Sequence, residues 1–213
     1  MIKVDKVDEG LPVSVIVPLS KNRREFFNNM VLPLIEANNP IEIIINDNDG
    51  LAPKKRNDGF KKATQPYVFF CDDDILLPAN YLQSLYYALL KEHKTSETVF
   101  AYSGYDGIVL HPDSHPIRGN FKIPAVPFNA QRLNQGNYIS TMSLVRKDVF
   151  PMFDEKLKRL QDWDIWLTLV AKGYRGKLVS NVTFYAYYLD AGITSVNNSE
   201  VDAINAIRTK HKF

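Results

Sequence analysis

Apolar runs and helix-patterned segments alternate along the first half of the chain. Positions 13–19, 41–47 and 67–71 are nearly continuous runs of β-branched, aromatic and other apolar residues. Such runs are typical of strands that are buried on both faces of a parallel sheet. Apolar residues recur at helical spacing in 24–38 and 78–93. This order predicts β-α-β units, and therefore a single α/β domain with a mostly parallel central sheet flanked by helices.

The second half of the chain has weaker patterns. Residues 98–110 indicate a pair of strands, and 184–188 a strand with two packed faces. Residues 201–213 predict a surface helix with a basic end, in which His211 is expected to be solvated. Residues 112–135 contain four prolines and little periodicity, so we predict a long loop of the kind that serves as a lid or binding loop.

Composition narrows the class of protein. The chain has 213 residues, 45% of them hydrophobic, which suffices for one domain with a substantial core. A net charge of +2 lacks the excess of a nucleic-acid-binding arm or a polybasic membrane tail, so no nucleic acid partner is expected. No apolar run approaches the ~20 residues of a membrane span, and the charged N-terminus lacks a signal-peptide pattern. The single cysteine, Cys71, fits a cytoplasmic location, and the C-terminal helix is compatible with a longer multidomain chain.

Polar residues follow each of the three predicted strands. They lie at 20–22, at 46–49 and, most densely, at Asp72, Asp73 and Asp74. In open α/β sheets, ligands bind at the carboxyl ends of the strands, and hard carboxylate oxygens suit Mg²⁺ or Mn²⁺. A bound cation would also relieve the repulsion between three adjacent carboxylates. The alternative is an acidic turn in which Asp74 caps the following helix and the other two aspartates face water.

A second acidic group lies in the first turn of a helix predicted within 159–174. Asp162 and Asp164 flank Trp163 there. Carboxylates at this position can simply complement the helix dipole. Alternatively, one carboxylate faces the ligand crevice as a general base, and the tryptophan stacks against a sugar.

Together, these segments resemble the inverting glycosyltransferases of family 2, which have the GT-A fold. The resemblance covers about 13–195 and rests on five short motifs in the family's order. They are the opening turn Pro18-Leu19-Ser20-Lys21, the strand end Asp47-Asn48, the helix start Arg56-Asn57-Asp58-Gly59, the DXD motif Asp72-Asp73-Asp74 and the helix start Gln161-Asp162-Trp163-Asp164. The chain is also similar to stand-alone GT-A domains of large DNA viruses that glycosylate capsid proteins, which would place it in the host cytoplasm.

The resemblance implies a role for each matched position. A nucleotide-binding half would span about 11–110, and an acceptor-binding and catalytic half about 111–213. The implied nucleotide contacts are Pro18, Leu19, Ser20, Asp47, Asn48, Arg56, Asp72 and Asp73, with uracil bound by Asp47 or Asn48. The implied ligands of Mn²⁺ or Mg²⁺ are Asp72, Asp74 and Asp190. Asp162 would be the catalytic base, and Trp163 and Asp164 would contact the sugar or the acceptor.

The sequence departs from the family pattern at three positions. Ser20 stands where many members have a tyrosine that stacks on the base, and Gln161 replaces a glutamate, which leaves Asp162 as the better base. Asp190 stands about where the family has a histidine that completes the metal site. An alternative alignment, in which Asp73 holds the metal, stays open.

The implied activity is transfer of a sugar from a nucleotide-diphosphate sugar, with UDP-hexose or UDP-deoxyhexose favoured, to a hydroxyl of a glycan or glycoprotein. One alternative is a GT-A module that binds nucleotide sugars or glycans without turnover, which the changes at Gln161 and Asp190 would favour. Another is a nucleotidyltransferase, which is expected to carry a glycine-rich phosphate loop after the first strand. The segment at 18–26 has basic residues but no glycine.

Overall fold

A nine-stranded mixed sheet forms the centre of the structure. The structure is a computed structural model that describes residues 1–6, 9–92, 97–110, 119–124, 126–188 and 200–212. The strands are β1 (Ile2–Lys6), β2 (Leu11–Pro18), β3 (Pro40–Asn46), β4 (Tyr67–Phe70), β5 (Ile75–Leu76), β6 (Thr98–Val109), β7 (Phe121–Ile123), β8 (Leu144–Arg146) and β9 (Arg175–Tyr188).

Seven α-helical segments accompany the sheet. They are α1 (Arg24–Phe26), α2 (Leu32–Ala37), α3 (Ala52–Phe60), α4 (Tyr81–Glu92), α5 (Ala130–Gln135), α6 (Gln161–Ala171) and α7 (Glu200–His211). A π-helical segment, Phe27–Val31, joins α1 to α2, so the helix predicted over 24–38 is confirmed with a widened turn before Pro33. Proline has no N–H to donate to the preceding turn, and a widened turn accommodates it. Among the described residues, the helices are too short or too polar to cross a bilayer.

The predicted β-α-β units are present in the first half of the sheet. Strand β2 pairs in parallel with both β3 and β4, so Val15 lies beside Ile43 on one side and Phe69 on the other. The strand order is β1-β3-β2-β4-β8-β6-β9-β5, with β7 added to β6. The α/β class is therefore confirmed, and both predicted halves contribute strands to one sheet.

The sheet is mixed, with parallel and antiparallel pairings. Of the eight pairings between described strands, β2–β3, β2–β4 and β6–β9 are parallel and five are antiparallel. Four of the five antiparallel pairings involve β5, β7 or β8, which have only two or three residues. Strands this short carry too few residues to show a hydrophobic period.

The second half also differs from the prediction in detail. Residues 98–110 form one long strand, β6, rather than a strand pair. The described part of 112–135 contains β7 and α5, so it is not a continuous loop. Gly107 allows the close approach of β7, since a Cβ at that position would lie 2.3 Å from the ring of Phe121.

The core lies on both faces of the sheet. Alternate residues of β2 and β4 point to opposite sides: Val15 and Phe69 belong to one apolar cluster, and Ile16 and Phe70 to the other. Helix α4 covers the first face, and α6 covers the second, where Trp166 stacks on the ring of Phe100 at 4.7 Å. Burial on both faces explains why β2, β3 and β4 are almost continuously apolar.

The ends of the parallel strands bring distant segments to one edge of the sheet. The N–H of Cys71, just after β4, donates to the carbonyl of Ile16 in β2 at 3.0 Å. Strand β5, which follows the three aspartates, pairs with Tyr185 and Ala186 of β9. The carboxyl end of β9 is therefore held beside the loops that follow β2 and β4.

Candidate active site

A cavity of about 780 Å³ opens at this edge of the sheet. Its lining includes the loop after β2, the start of α3 and the residues that follow β4. The other lining residues include 140–142, 158–162 and the end of β9. Its charged side chains are four acidic and four basic residues: Asp72, Asp73, Asp74, Asp162, Arg23, Arg56, Lys158 and Arg159. A cavity of this size suits a ligand as large as a nucleotide sugar.

Asp73 is the structural member of the acidic cluster. Its carboxylate accepts the backbone N–H of Ser20 at 2.6 Å through Oδ2, and a guanidinium N–H of Arg23 at 2.9 Å through Oδ1. The residue is 3% exposed. Because both oxygens already have partners, Asp73 ties the loop after β2 to the loop after β4. This arrangement favours Asp72 and Asp74 over Asp73 as the metal-binding pair.

Asp74 carries charge that the protein only partly balances. Burial raises its pKa to about 7, repulsion from Asp72 and Asp73 acts in the same direction, and Arg23 opposes both effects. Nη1 of Arg23 lies 2.5 Å from Oδ2 of Asp74. A buried carboxylate that holds its proton this tightly is stabilised in its ionised form by a nearby cation.

The acidic cluster fits a hard divalent cation. Asp72 and Asp74 offer carboxylate oxygens, and Mg²⁺ or Mn²⁺ binds proteins through one or two carboxylates together with water or substrate phosphates. Over the described ranges, no three His, Cys, Asp or Glu side chains are gathered in a metal-binding arrangement. Asp190, the third predicted ligand, lies outside the described residues.

Arg56 of α3 links two walls of the cavity. It donates from Nη2 to Asp72 through a short hydrogen bond, and from Nη1 to Oε1 of Gln161 at 3.0 Å. The guanidinium lies over the ring of Phe153, and the side chain is 7% exposed. Its Nε is buried and has no hydrogen-bond partner within the described part of the chain. A guanidinium at the lining of a cavity is suited to an anionic ligand.

Asp162 lies in the first turn of α6 and lines the cavity. Burial raises the pKa of its carboxyl group, and hydrogen bonds from the backbone N–H of Trp163 and from Asn137, together with the charge of Arg56, act in the opposite direction. The N–H of Trp163 lies 2.9 Å from Oδ1. A carboxylate with a raised pKa accepts a proton more readily than an ordinary aspartate does.

The residue before α6 has a strained backbone. Leu160 adopts φ 56° and ψ 29°, the left-handed region that side chains with a Cβ rarely enter. Leu160 also lines the cavity. The strained turn sets the direction in which α6 starts, and hence the position of Asp162.

The structure does not bring Trp163 and Asp164 to the cavity. Successive residues of an α-helix are rotated by about 100°, so the two residues after Asp162 point elsewhere. The indole N–H of Trp163 donates to the carbonyl of Leu133 at 2.7 Å within the core. Asp164, 2% exposed, accepts from Lys210 and lies 2.8 Å from Nε2 of His211 in α7.

His211 was expected to be solvated, and this expectation is wrong. Its side chain is only 10% exposed, because α7 packs against α6 and places the imidazole against the buried Asp164 carboxylate. The helical assignment of this segment is confirmed. The geometry therefore favours a structural role for Asp164, the attachment of α7, over contact with a sugar.

The predicted nucleotide contacts are divided between the cavity and its surroundings. Pro18 and Ser20 line the cavity. Leu19 is fully buried, and its carbonyl accepts from Lys55 at 2.7 Å. Asp47 pairs with Arg24 beside the cavity, and Asn48 is exposed. Neither of these two is among the lining residues, so their contact with a base stays a prediction.

The cavity contains several residues that the sequence motifs do not identify. The most informative are Arg23, which bridges two aspartates, Leu51, whose apolar side chain is 55% exposed, and the stacked rings of Tyr105 and Phe184. Three adjacent carboxylates need a nearby positive charge, so the sequence indicates that a basic side chain lies close to them. It does not indicate that this side chain is Arg23. The aromatic residues come together through the non-local pairing of β6 with β9.

Comparison with known proteins identifies the family. Residues 22–152, more than half of the chain, match the family described as Glycosyl transferase family 2. The chain belongs to this family. The prediction of a family 2 glycosyltransferase domain is therefore confirmed. A search of curated proteins finds no significant match.

Solved structures with the same fold confirm the GT-A assignment. One is TarS 1–349 of S. aureus in complex with UDP-GlcNAc, at 17% identity and a TM-score of 0.60, covering 93% of this chain and 65% of that one. TarS 1–349 without that ligand gives 19% identity and 0.57, with 82% and 60% covered. GalNAc-T7 with UDP, GalNAc and Mn²⁺ gives 11% identity and 0.54, with 97% and 55% covered. The chain thus spans less than two thirds of the length of these structures.

Proposed function

We propose that this family 2 domain transfers a sugar from a nucleotide-diphosphate sugar to a hydroxyl group of a glycan or glycoprotein. The proposal includes a divalent cation and inversion at the anomeric carbon. One observation carries it: Asp72 and Asp74, the buried Arg56 and the raised-pKa Asp162 all line the same cavity. These groups match the three needs of the reaction, which are a cation site, a diphosphate contact and a base.

The donor diphosphate would lie beside the acidic cluster and Arg56. Arg56 offers a buried positive charge at the lining of the cavity, and guanidinium groups bind phosphate oxygens strongly. The base would lie toward Pro18, Ser20 and Leu51, where an exposed apolar side chain offers a surface for stacking. Asp47 and Asn48, beside this end of the cavity, remain the proposed hydrogen-bond partners of the base.

UDP is the favoured nucleotide, with a hexose or deoxyhexose as the sugar. The choice of UDP is supported by the family and by two similar structures, TarS in complex with UDP-GlcNAc and GalNAc-T7 with UDP, GalNAc and Mn²⁺. The nature of the acceptor rests on the family resemblance. The expected absence of a nucleic acid partner, the cytoplasmic location and the division into two functional halves also stay predictions.

Asp72 and Asp74 would hold Mn²⁺ or Mg²⁺. When bound, such a cation supplies positive charge that stabilises the departing diphosphate. The chain's own contribution is to place carboxylate oxygens and the guanidinium of Arg56 next to each other at the diphosphate site. Asp190 would add a further ligand.

Asp162 would act as the general base. It takes the proton of the acceptor hydroxyl while that oxygen forms a bond to the anomeric carbon, and the bond from this carbon to the diphosphate oxygen breaks with its electron pair. Attack from the face opposite the leaving group inverts the configuration, as in inverting glycosidases. General-base assistance of this kind contributes about 10²–10⁴-fold in rate.

The test is an assay with a panel of UDP-, GDP- and dTDP-sugars, Mn²⁺ and candidate glycan acceptors. We expect release of a nucleoside diphosphate and a product whose anomeric configuration, read by NMR, is opposite to that of the donor. Release of pyrophosphate would indicate a nucleotidyltransferase. Tight donor binding without any release would indicate a non-catalytic module, and a retained configuration would exclude single displacement.

A further inference from the structure

Arg23 lies between two members of the acidic cluster. A single nitrogen, Nη1, is 2.9 Å from Oδ1 of Asp73 and 2.5 Å from Oδ2 of Asp74. The Arg23 side chain is 19% exposed, and that of Asp73 is 4% exposed. Arg23 is therefore a partly buried positive charge that lines the cavity and pairs with two aspartates.

The two contacts of Arg23 differ in kind. Asp73 also accepts the backbone N–H of Ser20, so its carboxylate is held in place whether or not Arg23 is present. At Asp74, Arg23 is the one basic side chain that makes an ion pair among the described residues. A carboxylate has two oxygens, and Arg23 occupies one of those that Asp74 offers.

Asp74 cannot serve Arg23 and a divalent cation equally well. A cation bound to Oδ2 would have to lie about 2.0–2.2 Å from it, the distance that Mg²⁺ requires. The guanidinium nitrogen stands 2.5 Å from the same oxygen, and two positive groups at such separations repel each other. If the cation takes Oδ2, Arg23 can give up this contact while it keeps its bond to Asp73.

We infer that Arg23 is an internal cation that competes with the divalent metal for Asp74. Without metal, it balances the carboxylate. When metal binds, Arg23 withdraws to Asp73, on the wall of the cavity that the diphosphate is proposed to contact. Arg23 thus sets the metal concentration at which the donor site assembles. This inference rests on the proposed metal site, but not on sugar transfer.

The test measures binding of Mn²⁺ alone, without donor, by the electron paramagnetic resonance signal of free Mn²⁺. Arg23→Gln removes the competitor, and we expect it to bind Mn²⁺ about 10-fold more tightly than the parent protein. The matched control is Lys21→Gln, which removes one positive charge from the same loop. Lys21 pairs with the exposed Asp49 at 2.7 Å, and its variant should bind Mn²⁺ like the parent. Circular dichroism verifies that both variants are folded.

Equal or weaker Mn²⁺ binding by Arg23→Gln would overturn the inference, since an arginine that only supports the fold of the site gives that result. Absence of Mn²⁺ binding in both proteins would overturn it too. Sugar transfer is measured separately, so failure of the proposed activity stays distinguishable.

A second measurement uses the parent protein and covers the case in which Arg23→Gln does not fold. Arginine side-chain ¹⁵N NMR follows the guanidinium groups during titration with Mg²⁺. We expect one restricted guanidinium signal to shift and gain mobility as Mg²⁺ saturates the site. Guanidinium signals that stay unchanged at saturating Mg²⁺ would contradict the competition.

Discussion

Arg56 donates a hydrogen bond to Gln161 across 105 positions of sequence, at 3.0 Å. The same guanidinium binds Asp72. Arg56 therefore connects the acidic cluster after β4 with the helix that carries Asp162. Gln161 is itself fixed, because its Nε2 donates to the carbonyl of Leu157 at 2.9 Å. A glutamate at this position, as in the family pattern, would bring a negative charge to Arg56, and Gln161 brings none.

Arg56→Lys tests this connection. A lysine keeps the charge, but its single ammonium group cannot replace the planar guanidinium that donates to both Asp72 and Gln161. The acidic cluster and the start of α6 therefore lose their common partner. We expect kcat/KM for the donor to fall about 10- to 100-fold, while the fold persists. The control is Arg146→Lys, since Arg146 pairs with Asp148 through two N–H groups on the surface. Equal activity of both variants would mean that the connection has no role in turnover.

Asp162→Asn tests the base. Asparagine keeps the shape of the side chain and can still accept the hydrogen bond from the N–H of Trp163, but its amide is not a base. We expect transfer to fall by at least ~10²-fold with donor affinity nearly unchanged. A variant that transfers sugar like the parent would leave Asp162 as a helix-stabilising residue.

The pH dependence of the parent follows from the same residue. Asp162 must be ionised to act as a base, and burial holds its pKa above the ordinary range of aspartate. Activity should therefore decline on acidification at a pH above the ~3.9 at which an ordinary aspartate titrates. Kinetics over a pH series, read as kcat, locate this limb, and an absent limb would contradict the assignment.

Asp74→Asn should alter the pH dependence of stability in metal-free protein. The folded state holds the Asp74 proton up to about pH 7, whereas the unfolded chain releases it near the ordinary 3.8. The free energy of unfolding of the parent should therefore fall relative to the variant as pH rises through this window. The slope is at most about 1.4 kcal/mol for each pH unit.

Urea denaturation at several pH values, in EDTA, measures this difference. Mg²⁺ added above pH 7 should raise the stability of the parent and not that of the variant. Parallel pH profiles for the two proteins would show that the Asp74 carboxyl is not perturbed.

Gly59→Ala tests the packing of α3 on the sheet. A Cβ at Gly59 would lie 2.5 Å from Cγ2 of the fully buried Ile16. Helix propensity alone would make alanine stabilising by about 1 kcal/mol. We expect the clash to win and the variant to lose about 1–2 kcal/mol of unfolding free energy.

The matched control for this substitution is Gly136→Ala. Nothing lies within 4 Å of a Cβ at Gly136, so its variant should stay within about 0.5 kcal/mol of the parent. Denaturation curves of both variants decide the point. A more stable Gly59→Ala protein would show that α3 can move away from β2.

The sequence predicts the buried elements of the fold well, because buried strands and helices need apolar residues at regular positions. Strands β2, β3 and β4 consist mostly of buried residues and helix α4 has one buried apolar face, and the sequence predicts all four elements. Strand β8 has three residues and lies between β4 and β6, and nothing in three residues distinguishes it from a loop. Hydrophobic periodicity therefore could not predict that the sheet is mixed.

The candidate site divides in the same way. Asp72, Asp74, Arg56 and Asp162 stand in short motifs, and the structure gathers them in one cavity. The partner of Asp74 lies 51 positions away, and a pair at that distance leaves no local pattern. Whether Trp163 and Asp164 reach the cavity depends on which face of α6 packs against the sheet. Helical spacing alone does not show which residues of α6 face the cavity.

The most direct test of the central claim is a thermal-shift measurement with UDP and UDP-sugars, in Mn²⁺ and in EDTA. A ligand at 100 times its dissociation constant adds about 2.7 kcal/mol of stability. We expect nucleotide and Mn²⁺ together to raise the melting temperature of the parent. In EDTA, or in a protein with both Asp72→Asn and Asp74→Asn, the nucleotide should give a much smaller shift. Equal stabilisation with and without the cation, or no response to any nucleotide, would contradict a metal-dependent nucleotide-sugar site in this cavity.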